Sequence, residues 1–299
     1  MGIYSNPGSD KFQEALRSAI YVDKSSMIAY TNRIFKSSNK YICVSRPRRF
    51  GKSMAANMLS AYYDRTVDGS MVFRGLDIAG DADFDTYRNQ CDVLFLNMQE
   101  FLSRSMDMAS MLDLLKRRIL HDVLREYPDV EYFDKADMIG CLGDVYAETN
   151  CPFVVIIDEW DCIFREYRND YQAQRQYLDF LRDWLKDKAY IGLAYMTGIL
   201  PIKKYGTHSA LNMFTEFSMT NPRELTPFVG FTAEEVRKLC EQYHMDYEET
   251  MSWYDGYQFR DMTSICNPRS VVSAMESGIL DTYWTETETF EALKIYIDM

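Results

Sequence analysis

A short motif near the start of the chain combines the residue types that bind phosphate. Gly51, Lys52 and Ser53 follow the loop 46–50 and open the pattern of a helix. A helix N-terminus carries N–H groups without partners inside the helix, and these attract anions. Gly51 lets the backbone approach a phosphate oxygen, Lys52 can reach the β- and γ-phosphates, and Ser53 can bind Mg²⁺. The motif predicts the second half of a phosphate-binding P-loop.

The motif departs from the pattern G-x-x-x-x-G-K-[ST] at one position, because Arg46 stands where the first glycine is expected. Taken alone, Gly-Lys-Ser also fits an ordinary junction between a loop and a helix. Four flanking residues are further candidates for contact with a nucleotide: Arg48, Arg49, Phe50 and Met54. For the two arginines, contact with phosphates or a partner and simple solvation are both open.

A second motif pairs two carboxylates at the end of an apolar run. The residues 152–157, PFVVII, are followed directly by Asp158 and Glu159. Such a run predicts a buried parallel strand that delivers acids to its C-terminal edge. Beside a P-loop, the first acid helps to hold Mg²⁺ and the second polarises the attacking water. The alternative is a core strand that ends in a solvated acidic turn, and the upstream motif favours the chemical interpretation.

Alternating apolar and helical patterns supply the elements that must position these residues. Strands are predicted near 40–45, 91–98, 152–158, 191–196 and 214–219, with helices near 10–18, 26–35, 52–63, 105–126, 135–149 and 171–186. This alternation predicts a parallel sheet with right-handed crossovers. From residue 226 the pattern changes to short helical pieces near 232–243, 247–253 and 268–276. We therefore expect a core over 1–225 and a small helical lid over 226–299.

Composition and charge narrow the classes of function. The 299 residues are 47% hydrophobic with a net charge of −12, which is typical of a globular protein and argues against a broad nucleic-acid-binding surface. No apolar run approaches the ~20 residues of a membrane span, and the start has no signal-peptide pattern. The seven cysteines form no C-x-x-C pair, which predicts reduced thiols and a cytoplasmic protein.

With these residues placed, the chain resembles the AAA-ATPase-like family of bacterial proteins, many of which carry a C-terminal nuclease domain of the PD-(D/E)XK class. The string RPRRFGKS is the family's own form of the P-loop, so Arg46 no longer counts against the motif. The resemblance spans most of the chain and is carried by residues 21–24 (YVDK), 45–53 (SRPRRFGKS), 157–159 (IDE), 231–236 (FTAEEV), 253–257 (WYDGY) and 267–270 (NPRS).

The resemblance implies an α/β core of the ASCE P-loop NTPase type, with a sensor strand between the P-loop strand and the acid-tipped strand. It implies ATP and Mg²⁺ as cofactors, with Ser53 and Asp158 at the metal. Thr197 resembles the polar sensor of this class, the alternative being a simple Thr-Gly turn. Tyr21 and Asp23 are candidates for contact with adenine, the alternative being a strand edge with a capping aspartate. Arg269 is a candidate sensor arginine of the lid.

The leading hypothesis is an ATP-driven switch in which Lys52, Glu159 and Thr197 are catalytic. An arginine from a neighbouring copy in a homo-oligomer can complete such sites. A second hypothesis is a module that holds nucleotide without hydrolysis and regulates a protein partner or a nuclease. A third, a small-molecule phosphotransferase, is ranked last because Glu159 directly follows Asp158. No Asp…Glu-x-Lys motif is visible, so we expect no nuclease activity from these residues, and no guanine-reading Asn-Lys-x-Asp motif occurs.

Overall fold

A five-stranded parallel sheet forms the centre of the molecule. The computed structural model describes residues 2–202, 211–219, 221, 223–255 and 264–283. The sheet has the order β2-β3-β4-β1-β5, and each neighbouring pair is parallel. Its strands are β1 (Tyr41–Ser45), β2 (Asp92–Asn97), β3 (Phe153–Asp158), β4 (Ile191–Gly198) and β5 (Thr215–Phe217). All five lie within or close to the segments that the sequence predicted as strands.

The central strands are buried on both faces, as strands covered by helices on both sides must be. Every residue of β1, β3 and β4 is buried. Successive side chains point to opposite faces. In β1, Ile42 and Val44 enter one hydrophobic cluster, whereas Tyr41 and Cys43 enter the other. The near-continuous apolar runs seen in the sequence therefore serve two cores at once.

Helices cover both faces of the sheet. The helices of this part are α1 (Asp10–Leu16), α2 (Met27–Ile34), α3 (Lys52–Tyr63), α4 (Gly69–Val72), α5 (Met98–Ser103), α6 (Met108–Glu126), α7 (Met138–Thr149), α8 (Cys162–Glu166) and α9 (Tyr171–Leu185), with a 3-10 helix at Asp77–Gly80. One cluster contains residues of α2 and α3, and the other contains residues of α6, α7 and α9.

The C-terminal part builds a third cluster around Val236, Leu239 and Val271. A 3-10 helix (Arg223–Phe228) leads into it. Its helices are α10 (Ala233–Tyr243), α11 (Tyr247–Tyr254) and α12 (Pro268–Ser277). Two short strands not foreseen from the sequence, β6 (Phe231–Thr232) and β7 (Ile265–Cys266), pair antiparallel. The expected lid also includes Gly256, Tyr257 and residues 284–299, which lie outside the described residues.

Two properties expected from composition can be compared with the structure. All seven cysteines are free thiols, and six of them are buried. Among the described residues, no helix is both long enough and apolar enough to cross a membrane.

Candidate nucleotide site

The N-terminus of α3 opens directly after the P-loop motif. Gly51 precedes the first helical residue with φ +86°, in the left-handed region, and no side chain caps the helix there. A Cβ added to Gly51 would meet nothing within 4 Å, so the space beside the helix start is open. Any other residue would be strained by the backbone angle. The geometry leaves the first N–H groups of α3 facing open space, which is the arrangement that binds anions.

Lys52 lies folded over this loop. Its Nζ donates hydrogen bonds to the carbonyl oxygens of Arg46 and Pro47, each at 3.0 Å. Only 4% of the residue is exposed. Burial lowers the pKa of Lys52 below its ordinary value, while the nearby carboxylates Glu159, Asp161 and Asp158 act in the opposite direction. The carboxylates favour the charged ammonium, which lies against the carbonyl oxygens of the loop.

Asp158 accepts hydrogen bonds from hydroxyl groups of two other elements. Ser53 Oγ donates a hydrogen bond to Asp158 Oδ2 at 2.7 Å. Thr197 Oγ1, at the end of β4, donates to Asp158 Oδ1. Because β4 lies between β1 and β3, the hydroxyls from the segments after β1 and within β4 both reach the acid at the end of β3. The carboxylate and the Ser53 hydroxyl are oxygen groups of the kind that Mg²⁺ prefers.

Glu159 stands on a strained turn immediately after β3. Its φ is +55°, in the left-handed region that a glutamate rarely adopts. The next residue, Trp160, donates its backbone N–H to the Thr197 carbonyl at 3.0 Å. Burial raises the pKa of Glu159; Asp161 and Asp158 act in the same direction, and Lys52 and Arg165 oppose it. Strain of this kind is concentrated at functional sites, where it aims a side chain.

Asp161 fastens the turn to the end of β4. Its Oδ2 accepts the backbone N–H groups of Ile199 at 3.0 Å and Leu200 at 2.8 Å. Burial raises the pKa of Asp161, against the opposing effect of Arg165 and these two N–H groups. Gly198 is needed here, since a Cβ on it would lie 2.6 Å from Trp160 Nε1 and 2.7 Å from Asp161 Oδ1.

A cavity of about 870 Å³ runs from the P-loop to the C-terminal part. Its volume is in the range of small-molecule and cofactor sites. Its lining mixes charged and apolar side chains. Six cationic residues and three carboxylates line it, although the whole chain carries a net charge of −12. The cations are Lys24, Arg48, Arg49, Lys52, Arg165 and Arg269, and the carboxylates are Glu159, Glu166 and Glu276. Apolar lining includes Ile20, Val22, Met58, Phe228, Phe231 and Val272.

The structure brings most of the predicted site residues to this cavity. The lining includes Tyr21, Arg48, Arg49, Phe50, Gly51, Lys52, Ser53, Met54, Glu159 and Arg269. Asp158 and Thr197 are buried just behind Ser53, at 3% and 0% exposure. Asp23 is placed differently: its carboxylate accepts the backbone N–H groups of Ser25 and Asp77, and it is not part of the lining. Its observed contacts hold a turn.

Three residues of the site were not identified from sequence. Arg165 binds Glu159 from α8. Lys24 Nζ lies 2.5 Å from Glu235 Oε1 and donates to the Pro227 carbonyl at 2.6 Å, joining the N-terminal segment to α10 across 211 residues of sequence. Lys24 and Glu235 both belong to sequence strings that carry the family resemblance, so the sequence offered a signal for these two residues. For Arg165, the sequence offered no signal beyond its charge.

The fold and the site together define the class. The strand with the P-loop, the strand with Thr197 and the strand with the two acids are neighbours in the order β1, β4, β3. This is the ASCE arrangement that the sequence predicted, and the chain has an α/β P-loop NTPase core. A family model described as Predicted AAA-ATPase matches residues 8–207. The chain therefore belongs to the AAA-ATPase-like family.

Comparisons with individual proteins are more distant. An Azotobacter chroococcum mcd 1 protein described as "Uncharacterized protein in vnfD 5'region" is 23% identical over 278 residues, which is 90% of this chain and 51% of the relative. The chain thus spans about half the length of that relative. Among solved structures, the Aeropyrum pernix ORC2 protein in ADPNP-ADP complexes gives a TM-score of 0.43 at 12% identity, covering 87% of this chain and 64% of that one. The ORC1 protein of the same organism, in complex with DNA, gives 0.42 at 12%, covering 74% and 49%.

Proposed function

We propose that the protein binds ATP with Mg²⁺ and hydrolyses it, and that nucleotide occupancy changes the position of the C-terminal part. One observation carries the proposal. A single cavity is lined by an open helix N-terminus, a buried lysine, a carboxylate on a strained turn and several apolar side chains, with the Ser53–Asp158 pair beside the loop. A triphosphate with an attached base presents groups for both the charged and the apolar lining.

At the P-loop, the chain's own groups fit a triphosphate. The N–H groups at the start of α3 and the Lys52 ammonium would bind its oxygens. Mg²⁺ takes one or two protein oxygens and completes its shell with phosphate and water. Ser53 would bind it and Asp158 would orient Ser53; when bound, the ion neutralises charge on the phosphates.

Glu159 is the proposed general base. Its position on a left-handed turn, beside Lys52 and at the cavity wall, supports a role in orienting and deprotonating water. Thr197 would act through Asp158, to which it donates its hydroxyl hydrogen. We assign Thr197 to sensing the phosphate end indirectly, because it is fully buried behind the carboxylate.

Tyr21 and its neighbours in the cavity lining are the proposed contacts of the nucleotide base. Ile20, Tyr21 and Val22 line the cavity from the N-terminal segment. Phe231, Arg269 and Val272 line it from the C-terminal part. A base held between these two segments would contact both, so binding would favour one placement of the proposed lid at 226–299. Ligands shift such equilibria through their different contacts in the two states.

Two substitutions test hydrolysis in the full chain. Lys52→Ala should weaken nucleotide binding, because it removes the buried ammonium at the loop. Glu159→Gln should retain nucleotide binding and lower turnover roughly 10²- to 10⁴-fold, the usual contribution of a general base. Arg175→Gln, an exposed arginine on α9 outside the cavity lining, is the matched control. Turnover that is unchanged in both Lys52→Ala and Glu159→Gln would exclude the proposal.

A second candidate function is a nucleotide-binding module without turnover that engages a protein partner. The observation that favours it is the bond between Glu159 and Arg165, which occupies the proposed base. Equilibrium binding of ATP together with single-turnover measurements separates the two candidates. Tight retention of intact ATP by the wild-type chain would support the binding module.

A further inference from the structure

Arg165 enters the nucleotide cavity from α8 and contacts two acids of the site. Its Nη2 bonds to Glu159 Oε2, and its Nε lies 3.7 Å from Asp161 Oδ2. The side chain is only 15% exposed, yet it is part of the cavity lining. The guanidinium is thus held between the carboxylate proposed as base and a carboxylate that is fully buried.

We infer that Arg165 is a positioning residue that fixes the Glu159 carboxylate in the geometry for hydrolysis, an assignment that rests on the proposed ATPase function. Arg165 is not assigned to the bond-breaking step itself. It acts by holding the base from the side, while Asp161 holds Arg165.

The anchoring of Arg165 is what makes it a positioning group. Asp161 cannot turn away from Arg165 without losing the two backbone N–H groups of Ile199 and Leu200 at the end of β4. The strand that carries Thr197 therefore sets the place of Asp161. Asp161 attracts the guanidinium as an ion partner at 3.7 Å, without a hydrogen bond to Nε, and the guanidinium bonds to Glu159. A planar guanidinium with fixed donors restricts direction more than an ammonium does.

The position of Glu159 on its turn explains why its side chain needs a partner that fixes its rotamer. A residue at φ +55° on a loop has its backbone fixed by Trp160 N–H and the Thr197 carbonyl, but its side chain still rotates. Glutamate loses considerable rotamer freedom when it is ordered. A bond to Arg165 orders it before substrate arrives, and a misplaced base lowers catalysis strongly.

The charges that face Glu159 come from three elements. Lys52 approaches from α3, Asp158 ends β3, and Asp161 and Arg165 lie after it on the turn and α8. Of these groups, Arg165 and Lys52 are the two cations. Removal of Arg165 deletes the guanidinium that bonds to Glu159 Oε2 and leaves Lys52 as the other cation that faces the carboxylate.

The test is kcat and KM for ATP turnover by the full chain carrying Arg165→Gln or Arg165→Lys. A group that only holds the base acts on the chemical step, so Arg165→Gln should lower kcat and leave KM and nucleotide binding near those of the wild type. A misplaced catalytic group costs on the order of 10²-fold, which sets the expected loss in kcat. Arg165→Lys keeps a charged donor at this position, so it should recover part of that loss. Arg175→Gln serves as the control.

A double-mutant cycle separates positioning from direct phosphate binding. If Arg165 acts through Glu159, Arg165→Gln introduced into Glu159→Gln should change turnover by no more than about twofold, the scatter of independent changes. An unchanged kcat in Arg165→Gln, a change in KM alone, or an equal loss in both backgrounds would overturn the assignment while leaving the ATPase proposal intact. Absence of turnover in the wild-type chain would overturn both. Retained nucleotide binding by Arg165→Gln verifies that the variant is folded.

Discussion

Substitutions of Lys24 and of Glu235 should destabilise the protein unequally, although the two side chains form one ion pair. The side chains are 13% and 21% exposed, and the pair joins the N-terminal segment to α10. Glu235 has a second partner, the backbone N–H of Thr232 at 2.7 Å, in the capping box that opens α10. Lys24 otherwise relies on the Pro227 carbonyl. Loss of the carboxylate therefore leaves the more buried charge behind.

Glu235→Gln is the informative substitution, because glutamine retains the capping box and removes only the charge. Leaving a buried charge without its partner costs about 3–5 kcal/mol, and we expect the lower end for a lysine that keeps one carbonyl. Lys24→Met preserves the apolar stem and leaves Glu235 hydrogen-bonded, so the expected loss is about 1 kcal/mol. The double variant should recover most of the stability, since apolar replacement of a buried pair is often neutral.

Free energies of unfolding from urea titrations measure these differences. The control is Glu234→Gln, one residue earlier in α10, whose carboxylate is 67% exposed and should matter by less than about 1 kcal/mol. Burial lowers the pKa of Lys24 from 10.5, while Glu235 and Asp23 oppose the shift. A lysine whose folded-state pKa is depressed destabilises the fold as the pH falls from 10.5 towards that lower pKa, below which the destabilisation is complete. The cost of Glu235→Gln should therefore shrink as the pH rises towards 10.5. A loss in Lys24→Met that exceeds that of Glu235→Gln would refute this reasoning.

Two further predictions concern the end of β4. Gly198→Ala places a Cβ 2.6 Å from Trp160 Nε1, so we expect a loss of about 1–3 kcal/mol in a thermal or urea titration, and an unchanged stability would contradict the close approach. Thr197→Val removes the hydroxyl that Asp158 accepts inside the core, which should cost about 1–3 kcal/mol and reduce turnover, whereas Thr197→Ser should retain more of both.

The architecture could be predicted because it follows from local patterns. Apolar runs give β1, β3 and β4, and polar periodicity marks the long helices α6 and α9. The resemblance supplied the place of the sensor strand between the P-loop strand and the acid-tipped strand, and β4 lies there. The short pair β6 and β7 escaped prediction. Two-residue strands leave no alternation to detect, and the two partners are separated in the sequence by α10 and α11.

The contacts within the site were harder to foresee than its residue types. The motifs indicated that Lys52, Asp158 and Glu159 belong together, but Arg165 reaches Glu159 only because the turn at Glu159 is left-handed and α8 begins at Cys162. Neither detail follows from composition or periodicity. Asp23 illustrates the opposite case. The resemblance offered it as a contact of adenine, with a capping aspartate as the alternative. In the structure its carboxylate accepts two backbone N–H groups, which is the common local role of aspartate in turns.

The insertion of β4 between β1 and β3 has a consequence for biosynthesis. The phosphate loop is translated 105 residues before its carboxylate partner, as the separation of Ser53 and Asp158 records. In the described sheet, the two neighbours of β1 are β4 and β5, and both are translated after Asp158. A nascent chain therefore carries an apolar strand with two unpaired edges until its second half emerges from the ribosome. Such edges invite aggregation, so truncation before β4 should yield insoluble protein.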